Sequence, residues 1–432
     1  MFDISLLNTW DQDGGAARAT YRLHCGLRAA GVHSKLLVQE KTTNDESILA
    51  PPKTWQRHLA KIHGQLDSLP LRRYRKRSTS LFSPAWLRNG VPSWIVDRAP
   101  DLVHLHWVNA GFLRIESLRA ISQPIVWTLH DMWPFTGGCH YTGECQRFEE
   151  TCGACCQLGS KRERDLSRRI WQRKWNAWKN IDLSIVTPST WMAHEARASS
   201  LFRDRRIEVI ANGLDLQRFR PVEKETARDL LKLPPGVRLI LFGAMDSTSD
   251  RRKGFHLLES ALESLAKDPA MKGTEVVVFG ASKPEKPLEL GFPVHYLGTF
   301  RDETSLALVY SAADVFAAPS LEDNLPNTVA EALACGVPVV AFAAGGLPEM
   351  VDHESNGYLA RPFEPEDLSR GLRWVLEDDA RRRALSHEAR AKAESAYDAE
   401  QCAASHIRLY EELLDREPHR PVRRQRDLIS SV

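Results

Sequence analysis

The chain lacks features that would assign it to a membrane, a secretory pathway or a nucleic acid. None of its apolar runs approaches the ~18 residues that a membrane-spanning helix requires. The start, MFDISLLN, has no basic segment of the kind that begins a signal peptide, and it favours a buried first strand. The formal net charge is only +2, which excludes a strongly basic polyanion binder. We therefore expect a cytoplasmic protein with reduced cysteines and no nucleic-acid partner.

The order of apolar runs favours an α/β fold. The 432 residues suffice for two or three domains, and no internal sequence repeat is visible. Strand-like runs alternate with helical patterns in both halves, which is typical of a doubly wound parallel sheet in each. The predicted strands are Phe2–Leu7, Ser34–Val38, Leu102–His106, Ile125–His130, Leu183–Pro188, Arg238–Ala244, Glu275–Gly280, Val294–Gly298, Asp314–Ala318 and Pro338–Phe342.

We predict two Rossmann-like domains that face a cleft, with a boundary near Ile207 to Phe219. A helix from Ala399 to Leu414 would return to brace the first domain, and the Arg- and Pro-containing tail would be disordered. The predicted segments are residues 1–206, with a basic insertion at 53–77 and a Cys-rich loop at 137–160, then residues 207–395, 396–415 and 416–432.

An acidic loop carries the strongest signal for chemistry. The sequence PSLEDNLPNTVAEALACGVPVV, residues 319–340, predicts a strand end, a loop, a helix that begins near Asn327 and a further strand. The free N–H groups at a helix N-terminus form a site for phosphate. The carboxylates of Asp323 and Glu331 flank this helix start and would bind hydroxyl groups. A diphosphate with a sugar on each side fits both features, so the segment predicts a nucleotide-sugar site.

The same segment resembles the donor-binding signature of the retaining glycosyltransferases of family four, which have the two-domain GT-B fold. The family pattern is Glu, seven residues, Glu, and then a run that ends in Ala-Cys-Gly-x-Pro-Val. Here Asp323 stands at the first position with Glu322 just before it, so which carboxylate meets the sugar stays open. The Asn324-Leu325-Pro326-Asn327 version is similar to a subgroup that assembles bacterial exopolysaccharides such as colanic acid.

The resemblance implies a role for each part of the acidic segment. Glu331 would bind the ribose hydroxyls, and Asp323 or Glu322 would bind hydroxyls of the transferred sugar. The diphosphate would lie along Asn324, Leu325, Pro326, Asn327 and Thr328 and bind backbone N–H groups of this stretch. Departure and attack would occur on one face of the sugar, with no enzymic nucleophile and no divalent metal at the reaction centre.

The first domain would contribute a glycine turn and a histidine. Gly14 and Gly15 open the first predicted helix and resemble the family's glycine loop, which faces the cleft; a plain strand-to-helix turn is the alternative. His130, followed by Asp131, ends a predicted strand, where doubly wound sheets bind ligands. In the family a histidine here approaches the donor sugar, although a capped or core histidine is the alternative. His104 and His106 end another strand and are weaker candidates.

The family clamps the diphosphate with an Arg and a Lys that follow a strand of the second domain. Lys253 matches the Lys, whereas Ala244 or a neighbour stands where the Arg is expected. Arg251 or Arg252 would supply the charge instead, because the leaving diphosphate becomes more negative as the glycosidic bond breaks. A solvated basic turn is the alternative. A loop at residues 345–349, GGLPE, resembles a family turn and is expected to pack under the donor site.

A cluster of cysteines is the least standard feature. Cys139, Cys145, Cys152 and Cys155 fall in a Gly-rich stretch beside Cys156 and His140. Four thiolates with a C-x-x-C knuckle suit a tetrahedral structural zinc site. Disulfides in an oxidising compartment and free thiols remain the alternatives.

Two further patterns bear on membranes. Residues 53–77 combine interleaved apolar side chains with the basic run RRYRKR, as in an amphipathic helix on anionic lipid; a solvated surface helix is the alternative. Trp171, Trp175 and Trp178 recur on one helical face. We expect that stripe to face the core, with a lipid- or acceptor-facing ridge as the alternative.

The sequence therefore favours a retaining glycosyltransferase at the inner face of the plasma membrane. It would move a sugar from a UDP- or GDP-sugar to a lipid-linked saccharide in surface polysaccharide synthesis, without a cofactor for catalysis. A sugar-nucleotide epimerase of the same fold is one rival hypothesis. A degenerate, non-catalytic assembly partner is the other, supported by Asp323 in place of Glu and by the missing Arg.

Overall fold

A computed structural model of the protein describes residues 2–51, 54–87, 91–243, 250–280, 289–300 and 302–415. Lys53, Ala244 and the tail from residue 416 onward lie outside these ranges, so the predictions made for them stay predictions.

Two parallel sheets organise the chain, and they confirm the predicted α/β fold class. The first has the strand order β3-β2-β1-β4-β5-β6-β7, and the second has β10-β9-β8-β11-β12-β13. The strands are β1 Asp3–Trp10, β2 His33–Glu40, β3 Ile48–Leu49, β4 Leu102–Leu105, β5 Ile125–Thr128, β6 Leu183–Thr187, β7 Ile207–Val209, β8 Arg238–Gly243, β9 Thr274–Phe279, β10 Val294–Gly298, β11 Val315–Ala318, β12 Val339–Phe342 and β13 Gly357–Ala360.

Helices connect the strands and cover the sheets. They are α1 Gly15–Ala29, α2 Thr54–Asp67, α3 Val91–Arg98, α4 Leu166–Trp178, α5 Thr190–Ala198, α6 Lys224–Leu231, α7 Phe255–Leu265, α8 Glu303–Ser311, α9 Asn327–Ala334, α10 Leu347–Met350, α11 Pro365–Leu376, α12 Asp379–Ala396 and α13 Ala399–Leu414.

All of the predicted strands are present, although their ends shift by a few residues. The strands that the sequence did not indicate are β3, β7 and β13, which have two, three and four residues. Each lies at the edge of its sheet. A strand of two to four residues is too short to show an alternating pattern of apolar side chains. Its position is set by hydrogen bonding to a longer neighbouring strand.

Each sheet has a switch point, at which strand order reverses and ligands bind in doubly wound folds. The switch lies between β1 and β4 in the first sheet and between β8 and β11 in the second. The glycine turn before α1 follows β1, and the acidic loop follows β11. The fold thus places the predicted glycine turn and the predicted acidic loop at the switch points of the two sheets.

The last helix packs on the first domain. Leu409, Tyr410 and Leu413 of α13 share a buried cluster with Ile4 and Leu6 of β1. The Tyr410 hydroxyl also lies 2.6 Å from His104 Nδ1 in the first sheet. The chain therefore crosses back after the second domain, as a helix at this position was predicted to do.

Two predictions about surface helices need correction. The basic stretch is not one helix: α2 ends at Asp67, a 3-10 turn covers Leu69–Arg73, and the last basic residues lie in irregular chain. The tryptophan stripe is not wholly in the core either. Trp171 and Trp178 are buried, whereas Trp175 is 39% exposed and stacks on Trp171. No helix among the described residues is long and apolar enough to cross a membrane.

The first sheet and the helices beside it hold five histidines in a neutral state; four of them are buried and His130 is partly buried. Burial lowers the pKa of His24, His130 and His406 to about 4. Burial and the neighbouring histidines also hold the pKa of His104 and His106 well below the usual value.

These lowered pKa values predict stability that is lost in mild acid. An unfolded histidine titrates near pH ~6.5, so below that pH the unfolded chain binds protons that the folded chain excludes until about pH 4. Stability should be complete above pH ~6.5 and fall by up to about 1.4 kcal/mol per histidine for each pH unit below it. Urea unfolding at pH 7.5, 6.5 and 5.5 measures this loss. Equal free energies of unfolding at all three values would contradict it.

Candidate functional site

The acidic loop, residues 319–326 between β11 and α9, packs closely against the backbone of two glycines. A Cβ on Gly254 would collide with the Pro319 carbonyl, and one on Gly346 would collide with the Asn324 carbonyl. The Gly346 N–H also donates to the Asp323 carbonyl at 2.9 Å. Only glycine permits these approaches, so the Lys-Gly and Gly-Gly turns shape the loop, as the sequence predicted for the second of them.

Asp323 is a buried carboxylate between two cations. Its Oδ2 atom lies 2.6 Å from Lys253 Nζ and 3.5 Å from Arg252 Nη1. Burial alone would raise the pKa of Asp323, but the charges of Lys253 and Arg252 outweigh it and lower the pKa. The Asp323 side chain is therefore ionised, and its negative charge lies beside the positive charges of Lys253 and Arg252.

Arg252, and not Arg251, is the arginine at the loop. Its Nη1 atom donates to the Glu322 carbonyl at 2.8 Å, and its guanidinium lies over the Tyr141 ring, 4.3 Å from the centroid. Arg251 is exposed to solvent. Of the two arginines that the sequence offered to replace the missing one, the structure brings Arg252 to the site.

The Glu322 side chain contacts the first domain. Its Oε2 atom accepts a hydrogen bond from the Gly143 N–H at 3.0 Å, in the Cys-rich loop. Burial raises the pKa of Glu322, partly offset by hydrogen bonds from the Gly143 and Thr142 amides. Asp323 is thus the carboxylate beside the cations, while Glu322 joins the domains.

Glu331 on α9 has both carboxylate oxygens engaged. Oε1 accepts a bond from Arg22 Nη2 at 2.7 Å, and Oε2 accepts one from the Tyr310 hydroxyl at 2.9 Å. Arg22 lies on α1 of the first domain and also pairs with Glu303 at 2.8 Å. Glu331 is only 2% exposed, so any ligand that uses it must bind at the remaining lone pairs or displace Arg22.

Arg22 and Tyr310 were missed by the sequence reasoning. A signal for Arg22 did exist, because Arg18 and Arg22 stand four residues apart on α1 and therefore share a helical face. Both reach the second domain: Arg18 Nη2 donates to the Phe300 carbonyl at 3.2 Å. Two arginines on one face, directly after a glycine turn, indicate a charged interface.

Two asparagines of the acidic segment also bind the first domain. Asn324 Nδ2 donates to the Leu129 carbonyl at 2.9 Å, and its Oδ1 accepts from the Ser189 hydroxyl. Asn327 Nδ2 donates to the Gly15 carbonyl at 2.9 Å. Gly14, with φ +91°, caps the same turn. The structure thus brings the glycine turn and the acidic segment into direct contact.

The segment from Leu325 to Thr328 forms the turn into α9. Leu325 is buried in the core of the second domain, and Pro326 precedes the first helical residue. The Val329 N–H bonds the Pro326 carbonyl at 3.0 Å. The helix start that the sequence predicted near Asn327 is therefore present.

His130 lies at the end of β5, against the acidic loop. Its carbonyl is 3.5 Å from Asn324 Nδ2, and its ring nitrogen Nε2 is 3.0 Å from His106 Nδ1. The next residue, Asp131, is buried and accepts bonds from Trp107 Nε1 and His140 Nδ1, each at 2.7 Å. Asp131 therefore links Trp107 to His140 beside His130, which is partly buried.

Three cysteines of the loop, Cys139, Cys152 and Cys155, are buried, and burial favours their protonated thiol form. Desolvation raises the pKa of Cys152 to about 12 and of Cys155 to about 11, and it holds that of Cys139 far above its usual value. Cys139, Cys145, Cys152 and Cys155 are all free thiols. Within the described ranges, no group of three or more His, Cys, Asp or Glu side chains is arranged to hold a metal. The zinc site stays a prediction.

Two family models match the chain, one on each sheet. Residues 13–218 match the model described as Glycosyltransferase Family 4, and residues 236–378 match Glycosyl transferases group 1.

Curated relatives share part of the chain. D-inositol 3-phosphate glycosyltransferase of Rhodococcus opacus (strain B4) is 34% identical over 200 residues, 44% of each chain. The protein of that name from Xylanimonas cellulosilytica is 35% identical over 231 residues, 50% of this chain and 53% of the relative. The one from Corynebacterium urealyticum is 28% identical over 72% of each. The chain spans about half the length of the first two of these relatives.

Solved structures share the fold over almost the whole chain. Sucrose-phosphate synthase from Thermosynechococcus elongatus superposes with a TM-score of 0.68 at 21% identity, covering 96% of this chain and 99% of that one. HepE of Anabaena, in complex with UDP and glucose, has a TM-score of 0.65 at 18% identity, covering 95% and 100%. The two family matches follow one another in chain order, and the solved structures show that the chain has the two-domain GT-B fold.

Proposed function

We propose that the protein transfers a sugar from a nucleoside diphosphate sugar to an acceptor hydroxyl with retention of anomeric configuration. One observation carries the proposal: Lys253 and Arg252 are fixed beside the ionised Asp323, just before the helix start at Asn327. A helix N-terminus and two cations suit a diphosphate, and a carboxylate suits sugar hydroxyls. HepE, which has the same fold, is a UDP and glucose complex.

Each group has a task in this reaction. Lys253 and Arg252 stabilise the negative charge that the diphosphate gains as the glycosidic bond breaks. Asp323 orients the transferred sugar through its hydroxyls, and Glu331 binds the ribose. A phosphate oxygen of the donor takes the acceptor proton, so the protein supplies orientation and charge rather than a nucleophile. No cofactor is required for these steps.

We propose a lipid-linked saccharide as the acceptor, at the inner face of the plasma membrane. Arg72, Arg75 and Arg77 are exposed in the segment after α2, and Leu81 and Trp86, which follow them in the sequence, are 57% and 40% exposed. Exposed basic and apolar side chains together suit an anionic lipid surface. The names of the curated relatives make an inositol phosphate the competing acceptor class.

Product analysis separates the proposal from its rivals. The purified protein is incubated with single UDP- and GDP-sugars, with and without a bacterial lipid extract or D-inositol 3-phosphate. Transfer predicts nucleoside diphosphate release that depends on an acceptor, and a new glycoside with the anomer of the donor. A converted sugar nucleotide without an acceptor would indicate an epimerase. No turnover of any donor, with the fold intact, would support the non-catalytic alternative.

Lys253→Ala should weaken nucleoside diphosphate binding. One charged hydrogen bond is worth ~1.5–3 kcal/mol, so the dissociation constant for the best-binding diphosphate should rise by roughly 10- to 150-fold. Arg251→Ala is the matched control, because Arg251 is the exposed neighbour. Isothermal titration calorimetry gives both constants. Equal affinities for the two variants would remove Lys253 from the site.

Glu331→Gln keeps the shape of the side chain and removes its charge. We expect transfer to fall at least about 100-fold, because both the ribose bonds and the contact with Arg22 weaken. Glu303→Gln removes the charge of the other partner of Arg22 and leaves Glu331 unchanged, so it should keep most activity. Steady-state rates for both variants are compared after thermal melts establish folding. Wild-type rates for Glu331→Gln would contradict the ribose assignment.

Reversal of Arg72, Arg73, Arg75, Lys76 and Arg77 to Glu should release the protein from anionic vesicles. Each basic residue near such a surface contributes about 1 kcal/mol, which salt screens. Reversal of the exposed Lys232, Lys272 and Arg383 in the second domain is the control. Sedimentation with phosphatidylserine vesicles at low and high salt measures binding. A charge-reversed protein that still sediments would leave Trp175 as the next candidate.

We also propose one structural zinc ion in the Cys-rich loop. Cys155 accepts hydrogen bonds from the Gln157 and Leu158 amides, and Cys152 accepts one from Gly137, which favour the thiolate form that zinc requires. Ligation would need the sulfur atoms to converge further. Elemental analysis of protein purified without chelator should give about one zinc per chain. Less than about a tenth of an equivalent would favour free thiols.

A further inference from the structure

A second histidine lies directly behind His130. His106 Nδ1 is 3.0 Å from His130 Nε2, and the two rings are inclined by 25°. His106 is only 4% exposed, whereas His130 is partly exposed. A bond between two neutral imidazoles requires that one nitrogen carries the proton and the other accepts it. The proton therefore has two possible positions, and each implies a different tautomer of His130.

The surroundings of His106 decide between them. Its other nitrogen, Nε2, is buried and has no hydrogen-bond partner among the described residues. A proton on Nε2 would leave a buried N–H unsatisfied, which proteins rarely tolerate, whereas an unpaired acceptor costs less. His106 thus carries its proton on Nδ1 and donates it to His130 Nε2. The proton of neutral His130 must then reside on its own Nδ1.

His106 is itself held rigidly. The backbone N–H of His106 donates to the Leu7 carbonyl at 2.9 Å, and the backbone carbonyl of His106 accepts from Trp127 Nε1 at 2.9 Å. Its ring packs on His104, 4.2 Å between centroids, and His104 is bonded to Tyr410 of α13. Rotation of the His106 ring would break this packing. The packing of the first domain therefore keeps His106 as the donor and His130 as the acceptor of this hydrogen bond.

We propose that His106 is a positioning residue that fixes His130 as the Nδ1–H tautomer, so that His130 offers a hydrogen-bond donor to an oxygen of the transferred sugar. Only the hydrogen bond from His130 to the sugar rests on the proposed function of the cleft. A donor at His130 suits a hydroxyl or the ring oxygen and does not suit a cation. The tautomer itself is a property of the protein without substrate.

Long-range ¹H–¹⁵N spectra of histidine-labelled protein at pH 7 measure the tautomer directly. The spectra of His130, assigned with His130→Gln, should show a protonated Nδ1 and an unprotonated Nε2. The opposite pattern in the wild-type protein would overturn the proposal. Because no substrate is present, this result is independent of whether the protein transfers a sugar.

Two variants test the role of His106. His106→Asn keeps an N–H donor close to the Nδ1 position, so the Nδ1–H pattern of His130 should persist and kcat should stay within about threefold of wild type. His106→Phe removes the donor. The His130 spectrum should then shift toward Nε2–H, and kcat should fall about tenfold, the effect of one lost hydrogen bond.

An Nδ1–H pattern that persists in His106→Phe would overturn the role of His106. His106→Met replaces the phenylalanine variant if that variant does not fold. A shifted tautomer with unchanged kcat would refute the use of His130 on the sugar and leave the tautomer assignment intact. Absence of any transfer by wild-type protein would refute the proposed function alone.

Discussion

The structure depends on one segment, the acidic loop with the start of α9, whose carboxylate and amide side chains are already hydrogen-bonded within the protein. Asp323 pairs with Lys253 within its own domain, while Glu331 pairs with Arg22 of the first domain. Asn324 and Asn327 bind main-chain carbonyls across the cleft. Removing one partner of a buried charge pair costs about 3–5 kcal/mol, so this segment sets how the two domains meet.

A consequence follows for ligand binding. A nucleotide sugar that uses Glu331 competes with Arg22, and one that uses the helix start lies beside the Asn327–Gly15 contact. Binding therefore exchanges contacts between the domains for contacts with the ligand. In a two-state description, a ligand can shift the domains only by its difference in affinity for the two arrangements. The proposed donor site therefore shares Glu331, Asn324 and Asn327 with the contacts between the domains.

The fold was largely predictable because its signals are periodic and local. Alternating strands and helices indicated both sheets, and the helix from Ala399 to Leu414 has the predicted bounds. The acidic motif also indicated Asp323 and the helix start, and the Lys-Gly match indicated Lys253; the structure brings them together.

What the sequence did not reveal depends on contacts between distant parts of the chain. Arg22 and Glu331 are separated by 309 positions, so no local pattern links them. The choice of Arg252 over Arg251 depends on which of two neighbours faces Tyr141, which spacing does not determine. The exposure of Trp175 likewise depends on which part of the α4 surface is covered by the rest of the domain. The spacing of the three tryptophans alone predicted burial.

Hydrogen–deuterium exchange with and without UDP or GDP tests the coupling of donor site and domain joint most directly. We expect the nucleotide that binds to change exchange in residues 320–334 of the second domain and, in parallel, in residues 14–22 and 141–145 of the first. The Arg22→Gln variant should lose the response of residues 14–22 while that of residues 320–334 remains. A response confined to the second domain in the wild-type protein would contradict the account.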